Sequence, residues 1–187
     1  MLTRCSDKDT PMSAIVIEDA GAEHIAAIRD IYAHHVLHSL ATFETEPPDE
    51  AEMRDRWQKI RDAGLPWLVA TENKQVLGYC YLGFYRARYA YRFTLEDSIY
   101  LHPDHLGKGV GKRLLSAALL QAEQQGHRQV VSVVADSGNQ ASLQLHLSLG
   151  FAQVGMLRSV GMKHGRWVDT VLLQRALGEG DASLPPV

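Results

Sequence analysis

The sequence predicts an α/β domain built around a central sheet. Three observations support this prediction: short apolar runs typical of strands alternate with helical patterns, a glycine-rich segment joins one strand to a helix, and the chain is long enough for an ample core. It has 187 residues, of which 45% are hydrophobic, and this suits a single globular domain.

The first half of the chain predicts two helices and a hairpin. Asp49 followed by Glu52 resembles a capping box at a helix start, and Gly64 suits the end of the same helix. Asn73 is the turn residue of the expected hairpin. The expected elements are a strand at 15–17, helices at about 22–37 and 49–63, and strands at 67–71 and 76–84.

The second half alternates strands with helices. Gly126 and Gly150 suit helix ends, because glycine readily adopts the left-handed conformation found there. The expected elements are a strand at 95–101, a helix from 110 to about 125, a strand at 130–134, a helix at 139–149, and strand-like segments near 151–155 and 168–173.

Charge and composition exclude several classes of protein. The formal net charge is −3 and the pI is about 6.3, so no general basic surface points to nucleic acid or to an anionic membrane. No run approaches the ~20 apolar residues of a transmembrane helix, and the first residues lack the apolar core of a signal peptide. The histidines show no metal-ligand spacing with carboxylates or cysteines, so no metal is expected.

The ends of the chain and its two cysteines complete this outline. We expect one domain at 14–176, between a flexible leader at 1–13 and a flexible tail at 177–187. Cys5 and Cys80 are too few for a disulfide framework, which favours a reducing, cytoplasmic location.

The glycine-rich segment predicts an anion site. Gly107, Gly109 and Gly111 stand at alternate positions before an amphipathic helix, where backbone N–H groups and the helix dipole favour a phosphate. Lys108 and Lys112 add positive charge. A P-loop is excluded because no Ser or Thr follows the second lysine, and the glycine spacing excludes a dinucleotide fingerprint. A phosphorylated cofactor is therefore expected, with a glycine-rich turn that binds nothing as the alternative.

Two motifs together resemble a known family. The stretch EDSIYLHPDHLGKGVGKRLL, followed by GNQASLQLHLSLGF, is similar to the GNAT superfamily of acetyl-CoA-dependent N-acetyltransferases. Four further stretches resemble its phosphinothricin and methionine sulfoximine acetyltransferase branch: SLATFETEPPD, PWLVA, RARYAYRFTLEDSIYL and GMKHGRWVDT. The resemblance covers about residues 15–173. It implies a homodimer and a twisted, mixed, mostly antiparallel sheet of about six or seven strands with helices on both faces.

The resemblance implies that acetyl-CoA is the cosubstrate. Its pyrophosphate would meet the glycine-rich segment, its peptide-like arm would lie along the strand at 96–101, and an N–H near Tyr100 or Leu101 would polarise the thioester carbonyl. Leu106 departs from the family, which usually has Gln or Arg there. Asn139 either bonds the cofactor arm or is only an N-cap. The implied cofactor-binding residues are Ile99, Tyr100, Leu101, Leu106, Gly107, Lys108, Gly109, Val110, Gly111, Lys112, Asn139 and Ser142.

Acetyl transfer to an amine needs a proton acceptor, because an α-amino group with a pKa of ~8 is mostly protonated at neutral pH. The resemblance assigns this role to Glu96, directly or through a water; the alternative is an ordinary carboxylate facing solvent. Asp97 faces the other side of the strand and is the weaker candidate. His146 is implied as the proton donor to the departing thiolate, with a packing or hydrogen-bonding role as the alternative.

The branch implies that the acceptor is the α-amino group of a small amino acid or analogue. An arginine can hold a carboxylate with two parallel hydrogen bonds, and we favour Arg86 and Arg92 over Arg88 for this contact. A solvated loop or a dimer contact is the alternative. The stretch 163–167 resembles a late substrate or dimer loop of the branch, and its role stays open. The implied substrate-binding residues are Phe43, Glu44, Arg86, Arg88, Arg92 and Thr94.

Two other functions remain open at this point. One is acetylation of a different amine, such as a protein N-terminus or a polyamine, although a polyamine would require a carboxylate-rich pocket rather than arginines. The other is a protein that binds acetyl-CoA without catalysis and senses it. Glu96 and the arginines favour catalysis.

Overall fold

A single seven-stranded sheet forms the centre of the molecule. The computed structural model describes residues 14–135 and 140–185. The strands are β1 (Val16–Asp19), β2 (Trp67–Glu72), β3 (Gln75–Phe84), β4 (Thr94–Leu101), β5 (Gln129–Ala135), β6 (Ala152–Lys163) and β7 (Arg166–Ala176). The α-helices of the described ranges are α1 (Ile25–His38), α2 (Glu50–Asp62), α3 (Val110–Gln124) and α4 (Gln140–Ser148). Short 3-10 helices occupy Ala22–His24, Tyr89–Tyr91 and Pro103–His105.

The sheet is mixed and mostly antiparallel. Its strand order is β1-β2-β3-β4-β5-β7-β6, and every neighbouring pair is antiparallel except β4 with β5. The fold class and strand number implied by the sequence are confirmed. The parallel pair lies at the middle of the sheet.

Helices cover both faces of the sheet, and each face has its own core. On one face, α1 and α2 bury residues such as Ile28 and Trp57. On the other face, α3 buries Leu114 and its neighbours, and α4 packs beside it through partly buried leucines such as Leu145. Because strand side chains alternate, each residue of β4 serves one face or the other.

Several local predictions are confirmed by the backbone. Asp49 caps α2, since its side chain accepts a hydrogen bond of 2.8 Å from the N–H of Glu52. Asn73 and Lys74 form the β2–β3 turn with φ of 50° and 67°, a left-handed conformation that asparagine tolerates better than most residues. The hairpin therefore turns where the sequence predicts.

The last hairpin is longer than the sequence predicts. We expected strands near 151–155 and 168–173, whereas β6 and β7 stay paired as far as Lys163 and Arg166. The register shifts twice along β6, and most of its side chains are exposed because it is the edge strand. An edge strand with shifted register shows no simple apolar alternation, so its length is hidden in the sequence.

Packing continues past the expected end of the domain at 176. Leu177 is buried in the core, and its N–H donates to the Arg128 carbonyl at 2.9 Å. Arg128 also pairs with Glu179 at 3.5 Å, so the packed domain extends at least to that residue. The expected leader at 1–13 lies outside the described residues. Within the described ranges, the helices are too short or too polar to cross a membrane.

Candidate active site

The two central parallel strands pair briefly and then separate. Within the described ranges their pairing ends at Glu96↔Val131, whereas β4 continues to Leu101 along β3 and β5 continues to Ala135 along β7. Backbone polar groups that face the resulting gap need partners. An extended ligand that carries amides can supply them, as an added strand would.

Odd-numbered residues of β4 direct their backbone toward this gap. In an antiparallel pair, the backbone groups of successive residues point to opposite sides. The N–H of His102 donates to the β3 carbonyl of Leu77 at 2.8 Å, and the β3–β4 register is regular, so even-numbered residues bond to β3. Ile99 and Leu101 therefore offer N–H groups to the gap, whereas the backbone of Tyr100 faces β3.

The glycine-rich segment leads the chain from the end of β4 into α3. Gly107 and Gly109 have φ of 74° and 75°, with open space where a Cβ would lie, so glycine is needed there for its backbone conformation. Gly109 is the N-cap of the 15-residue α3, and no described side chain caps that helix. The first N–H groups of α3 therefore suit a phosphate.

Gly111 serves close packing instead. A Cβ at this position would lie 3.2 Å from a methyl carbon of Leu145 and 3.4 Å from one of Leu101. The start of α3 therefore contacts both α4 and the end of β4. This contact fixes the start of α3 relative to the gap.

Lysines supply positive charge beside the anion site. Lys108 and Lys112 are exposed, and Lys108 Nζ donates to His105 Nδ1 at 3.1 Å. Arg113 instead donates to the backbone carbonyl of Ile15 at 2.7 Å. The exposed side chain at position 106 is leucine, so the charge at this site comes from the two lysines.

Glu96 stands where the gap opens and is half-buried. Its side chain faces the α1–α2 side together with those of Ser98 and Tyr100, because alternate strand residues share a face. Burial raises the pKa of Glu96, the charge of Asp97 raises it further, and Arg86 opposes both. A carboxyl whose pKa is raised toward neutrality is suited to accept a proton from an ammonium group.

Asp97 and His146 form a buried pair on the opposite face. Both side chains are 1% exposed, and His146 Nε2 lies 2.9 Å from Asp97 Oδ2. The same nitrogen lies 3.0 Å from Ser132 Oγ, and His146 Nδ1 lies 2.7 Å from the carbonyl oxygen of Ser142. Burial alone would lower the pKa of His146, but the hydrogen bond and charge of Asp97 outweigh it and raise the pKa. Since both ring nitrogens are engaged, this geometry favours the hydrogen-bonding alternative for His146.

The loop at 39–49, between α1 and α2, carries Phe43 and Glu44. Glu44 accepts two hydrogen bonds from Arg56, at 2.7 and 3.1 Å, and one from the Tyr32 hydroxyl at 2.7 Å. Burial alone would raise the pKa of Glu44, but these partners outweigh it and lower the pKa. The carboxylate is therefore engaged by α1 and α2, and it holds the loop in place.

The favoured arginines take different positions. Arg86 lies near enough to Glu96 for its charge to act on that carboxyl. Arg92 instead stacks on the rings of Tyr89 and Phe93, with its guanidinium carbon 4.2 and 4.4 Å from their centroids. The other predicted substrate residues outside the loop are Arg88, which is exposed, and Thr94, which is half-buried.

The structure also brings in residues that the sequence did not assign to the site. His35 Nε2 donates to the carbonyl of Leu101, the last residue of β4, at 2.8 Å. Lys163 Nζ donates to the carbonyl of Thr42 at 2.8 Å. No local pattern links Lys163 to a loop 121 residues earlier, so only the fold reveals this contact. Asn139 lies outside the described residues.

The geometry of the gap, the start of α3 and Glu96 indicates a class of protein. It fits a transferase that holds a phosphorylated, amide-bearing donor along β4 and presents a base to a second substrate. In the described part of the chain, no three His, Cys, Asp or Glu side chains are placed to share a metal ion.

Comparison with known proteins identifies the family of the chain. Residues 16–151 match the acetyltransferase (GNAT) family. The chain is 54% identical over 163 residues to a phosphinothricin N-acetyltransferase of Alcaligenes faecalis, covering 87% of this chain and 83% of that protein. It is 39% identical over 166 residues to an L-methionine sulfoximine/L-methionine sulfone acetyltransferase of Salmonella typhimurium, covering 88% and 96%.

A solved structure shares the fold. The phosphinothricin acetyltransferase of Sinorhizobium meliloti, in complex with acetyl-CoA, superposes with a TM-score of 0.89 at 43% identity over 92% of this chain and 93% of that one. The chain therefore belongs to the acetyltransferase (GNAT) family. It is an acetyl-CoA-dependent N-acetyltransferase, which confirms the resemblance of its motifs.

Proposed function

We propose that this enzyme acetylates the α-amino group of a small amino acid or analogue, with phosphinothricin and methionine sulfoximine as representative acceptors. The position of Glu96 carries the proposal: it is half-buried where the gap opens, within electrostatic reach of the exposed Arg86. An amino acid carries an ammonium and a carboxylate on the same carbon. Glu96 would accept a proton from the ammonium, and Arg86 would bind the carboxylate. The named relatives support this class, since both compounds are amino-acid analogues.

In this proposal Glu96 removes the proton that keeps the acceptor amine unreactive, directly or through a water. A free carboxyl has a pKa of about 4, whereas an α-ammonium group has a pKa of about 8. Burial raises the pKa of Glu96, so it brings the pKa of the base closer to that of the ammonium and makes proton transfer less unfavourable. The neutral amine then attacks while both substrates are bound. Acetyl-CoA supplies the acetyl group, and the N–H of Leu101 would stabilise the negative charge that develops on the carbonyl oxygen.

The departing thiolate needs no buried acid. A thiol has a pKa of about 8.5 and leaves readily as the thiolate. Both nitrogens of His146 are already bonded and its side chain is 1% exposed, so we assign it a positioning role rather than that of a proton donor.

An assay of thiol release over a panel of acceptors tests the proposal. We expect acetyl-CoA-dependent turnover with phosphinothricin, methionine sulfoximine or a proteinogenic amino acid, and none with spermidine. Preference for a polyamine or for a peptide N-terminus would contradict it. Calorimetric binding of acetyl-CoA without turnover of any amine would support the sensor instead.

We also propose that the enzyme is a homodimer formed through its edge strand. β6 leaves a row of large apolar side chains exposed, and Trp167 of β7 lies beside them. A strand edge that exposes several large apolar side chains is typical of a surface that binds another protein chain. The residues concerned are Val154, Met156, Leu157, Val160, Met162 and Trp167.

A cytoplasmic location is part of the same proposal. Cys80 is a free, buried thiol, as expected of a protein kept in a reducing compartment. Fractionation of cells that express the chain should recover it with cytoplasmic markers, and recovery in an oxidising compartment would contradict the proposal.

A further inference from the structure

The loop between α1 and α2 is held from three directions. Tyr32 of α1 and Arg56 of α2 both bond Glu44, as described above. Because the Tyr32 hydroxyl gives its proton to Glu44, the Thr42 hydroxyl donates to Tyr32 at 2.9 Å. The Tyr32 ring also packs edge-on against the ring of Tyr100 on β4, with the centroids 5.0 Å apart. The loop is therefore tied to the face of β4 that carries Glu96.

The third anchor comes from the far end of the chain. Lys163 is only 3% exposed, and its ammonium donates to the Thr42 carbonyl at 2.8 Å. Burial lowers the pKa of Lys163, and the charge of Glu44 opposes this. Burial of an ammonium costs free energy unless the group makes a specific contact. The hydrogen bond from Lys163 to the Thr42 carbonyl is such a contact, and it holds the loop.

Gly161 makes room for the ring of Phe43. A Cβ at this glycine would lie within 2.7 Å of the Phe43 Cζ atom and closer still to two other ring carbons. The φ of Gly161 lies outside the left-handed region, so glycine is needed here for space and not for backbone conformation. Any other residue would displace the ring.

Gly161 and Lys163 act from the same side of β6. They are alternate residues in a regularly paired part of the strand, with Met162 between them pointing away and 61% exposed. One accommodates Phe43 and the other bonds the carbonyl of Thr42, the residue just before it. Two strand residues thus fix one short segment of the loop.

We propose that Gly161 and Lys163 are positioning residues for acceptor specificity, which seat Phe43 beside the acceptor site by packing under its ring and bonding its neighbour Thr42. This inference rests on the proposed function, since it requires an amino-acid acceptor on the Glu96 face. It assigns a role to Lys163, the first residue of the stretch 163–167 whose role the sequence left open.

Steady-state kinetics of Gly161→Ala test the proposal. We expect KM for the preferred amino acid to rise about tenfold, while kcat and the calorimetric affinity for acetyl-CoA stay within about twofold. Gly155→Ala is the matched control, because a Cβ at that position of β6 would meet only a methyl carbon of Leu172, at 3.8 Å. It should leave KM unchanged.

A double-mutant cycle separates the role of the ring from a general effect on folding. If Gly161 acts through Phe43, adding Gly161→Ala to Phe43→Ala should change KM little further. Lys163→Met should raise KM in the same direction as Gly161→Ala, with thermal unfolding recorded for each variant. Unchanged KM in folded Gly161→Ala, or full additivity with Phe43→Ala, would overturn the inference alone. Absence of wild-type turnover with every amino acid would overturn the proposed function, and this inference with it.

Discussion

The contact between Asp97 and His146 joins three elements at the closed end of the gap. Asp97 belongs to β4, His146 to α4 and Ser132 to β5, and the imidazole bonds both partners. Removal of either member of a buried ion pair leaves the other as an uncompensated buried charge, which strongly destabilises the fold. The pair therefore keeps α4 seated where β4 and β5 separate.

Asp97→Asn should destabilise the fold by about 3–5 kcal/mol, the usual cost of removing one member of a buried pair. The pKa of His146 is raised in the folded state, so its contribution to the free energy of unfolding is present below the unfolded pKa and is lost as the pH rises through the folded pKa. The loss should therefore be larger at about pH 6 than at about pH 9. Urea unfolding curves of both proteins measure it.

A surface carboxylate provides the control for this experiment. Asp30 pairs with Arg29 in an exposed position, and Asp30→Asn should change the free energy of unfolding by less than about 0.5 kcal/mol at either pH. A loss in Asp97→Asn that is equal at both pH values would contradict the charged pair.

At the scale of elements, the start of α3 supplies the backbone part of the anion site proposed for the cofactor. Gly109 places the chain in the left-handed conformation at the N-cap, and the uncapped N–H groups follow it. Gly126 has a similar conformation at the other end of the helix, with φ of 85° against 75°. The two glycines therefore share a backbone requirement and differ in what they face.

Alanine at either glycine should cost about 1–2 kcal/mol of stability, because both lie at positive φ in open space. Only Gly109→Ala should weaken acetyl-CoA binding, by about tenfold, since a shift of the helix start moves the N–H groups off the phosphates. Isothermal titration of both variants with acetyl-CoA measures this. Equal affinities in the two variants would show that the helix start does not hold the cofactor.

Elements with local signals could be predicted from the sequence. Apolar periodicity and helix-ending glycines located the strands and helices between 67 and 150, and the Asp49 cap located the start of α2. The extent of β6 could not be predicted, because its exposed side chains and two register shifts remove the alternation that marks a strand. An edge strand is specified by its partner more than by its own pattern.

The candidate site likewise contains residues that could be assigned from the sequence and residues that could not. Glu96 and the glycine-rich segment lie in one contiguous motif, so they could be assigned together from the sequence. The partners of the loop at 39–49 come from α1, α2 and β6, and nothing local in the sequence links them. The burial of His146 against Asp97 likewise depends on how α4 packs on the sheet, which residue spacing does not reveal.

At the scale of the whole molecule, β6 ends the sheet with an uncovered apolar edge. Six large apolar residues on β6 and β7 are exposed there, whereas the opposite edge strand, β1, has four residues and one large exposed apolar side chain, Val16. The asymmetry favours association through β6. A dimer of the proposed kind would bury the apolar row.

Val160→Glu should convert the proposed dimer to a monomer, because it places a charge in the apolar row at a side chain that is 53% exposed. Leu120→Glu on α3 is the control, since that side chain is 56% exposed but lies on another surface. Light scattering after size exclusion gives the mass of each variant. A wild-type monomer, or loss of the dimer in both variants, would contradict association through β6.

The central claim is that Glu96 acts as the base once acetyl-CoA lies along β4, and Glu96→Gln tests it most directly. Calorimetry and initial rates with an amino-acid acceptor should be measured on the same preparation from about pH 4.5, near the ordinary pKa of a carboxyl, to about pH 9. The account predicts acetyl-CoA affinity within about twofold of wild type, kcat lower by about 100-fold, and loss of the rise in rate that wild type shows as Glu96 loses its proton. A variant that turns over at the wild-type rate with an unchanged pH profile would contradict it.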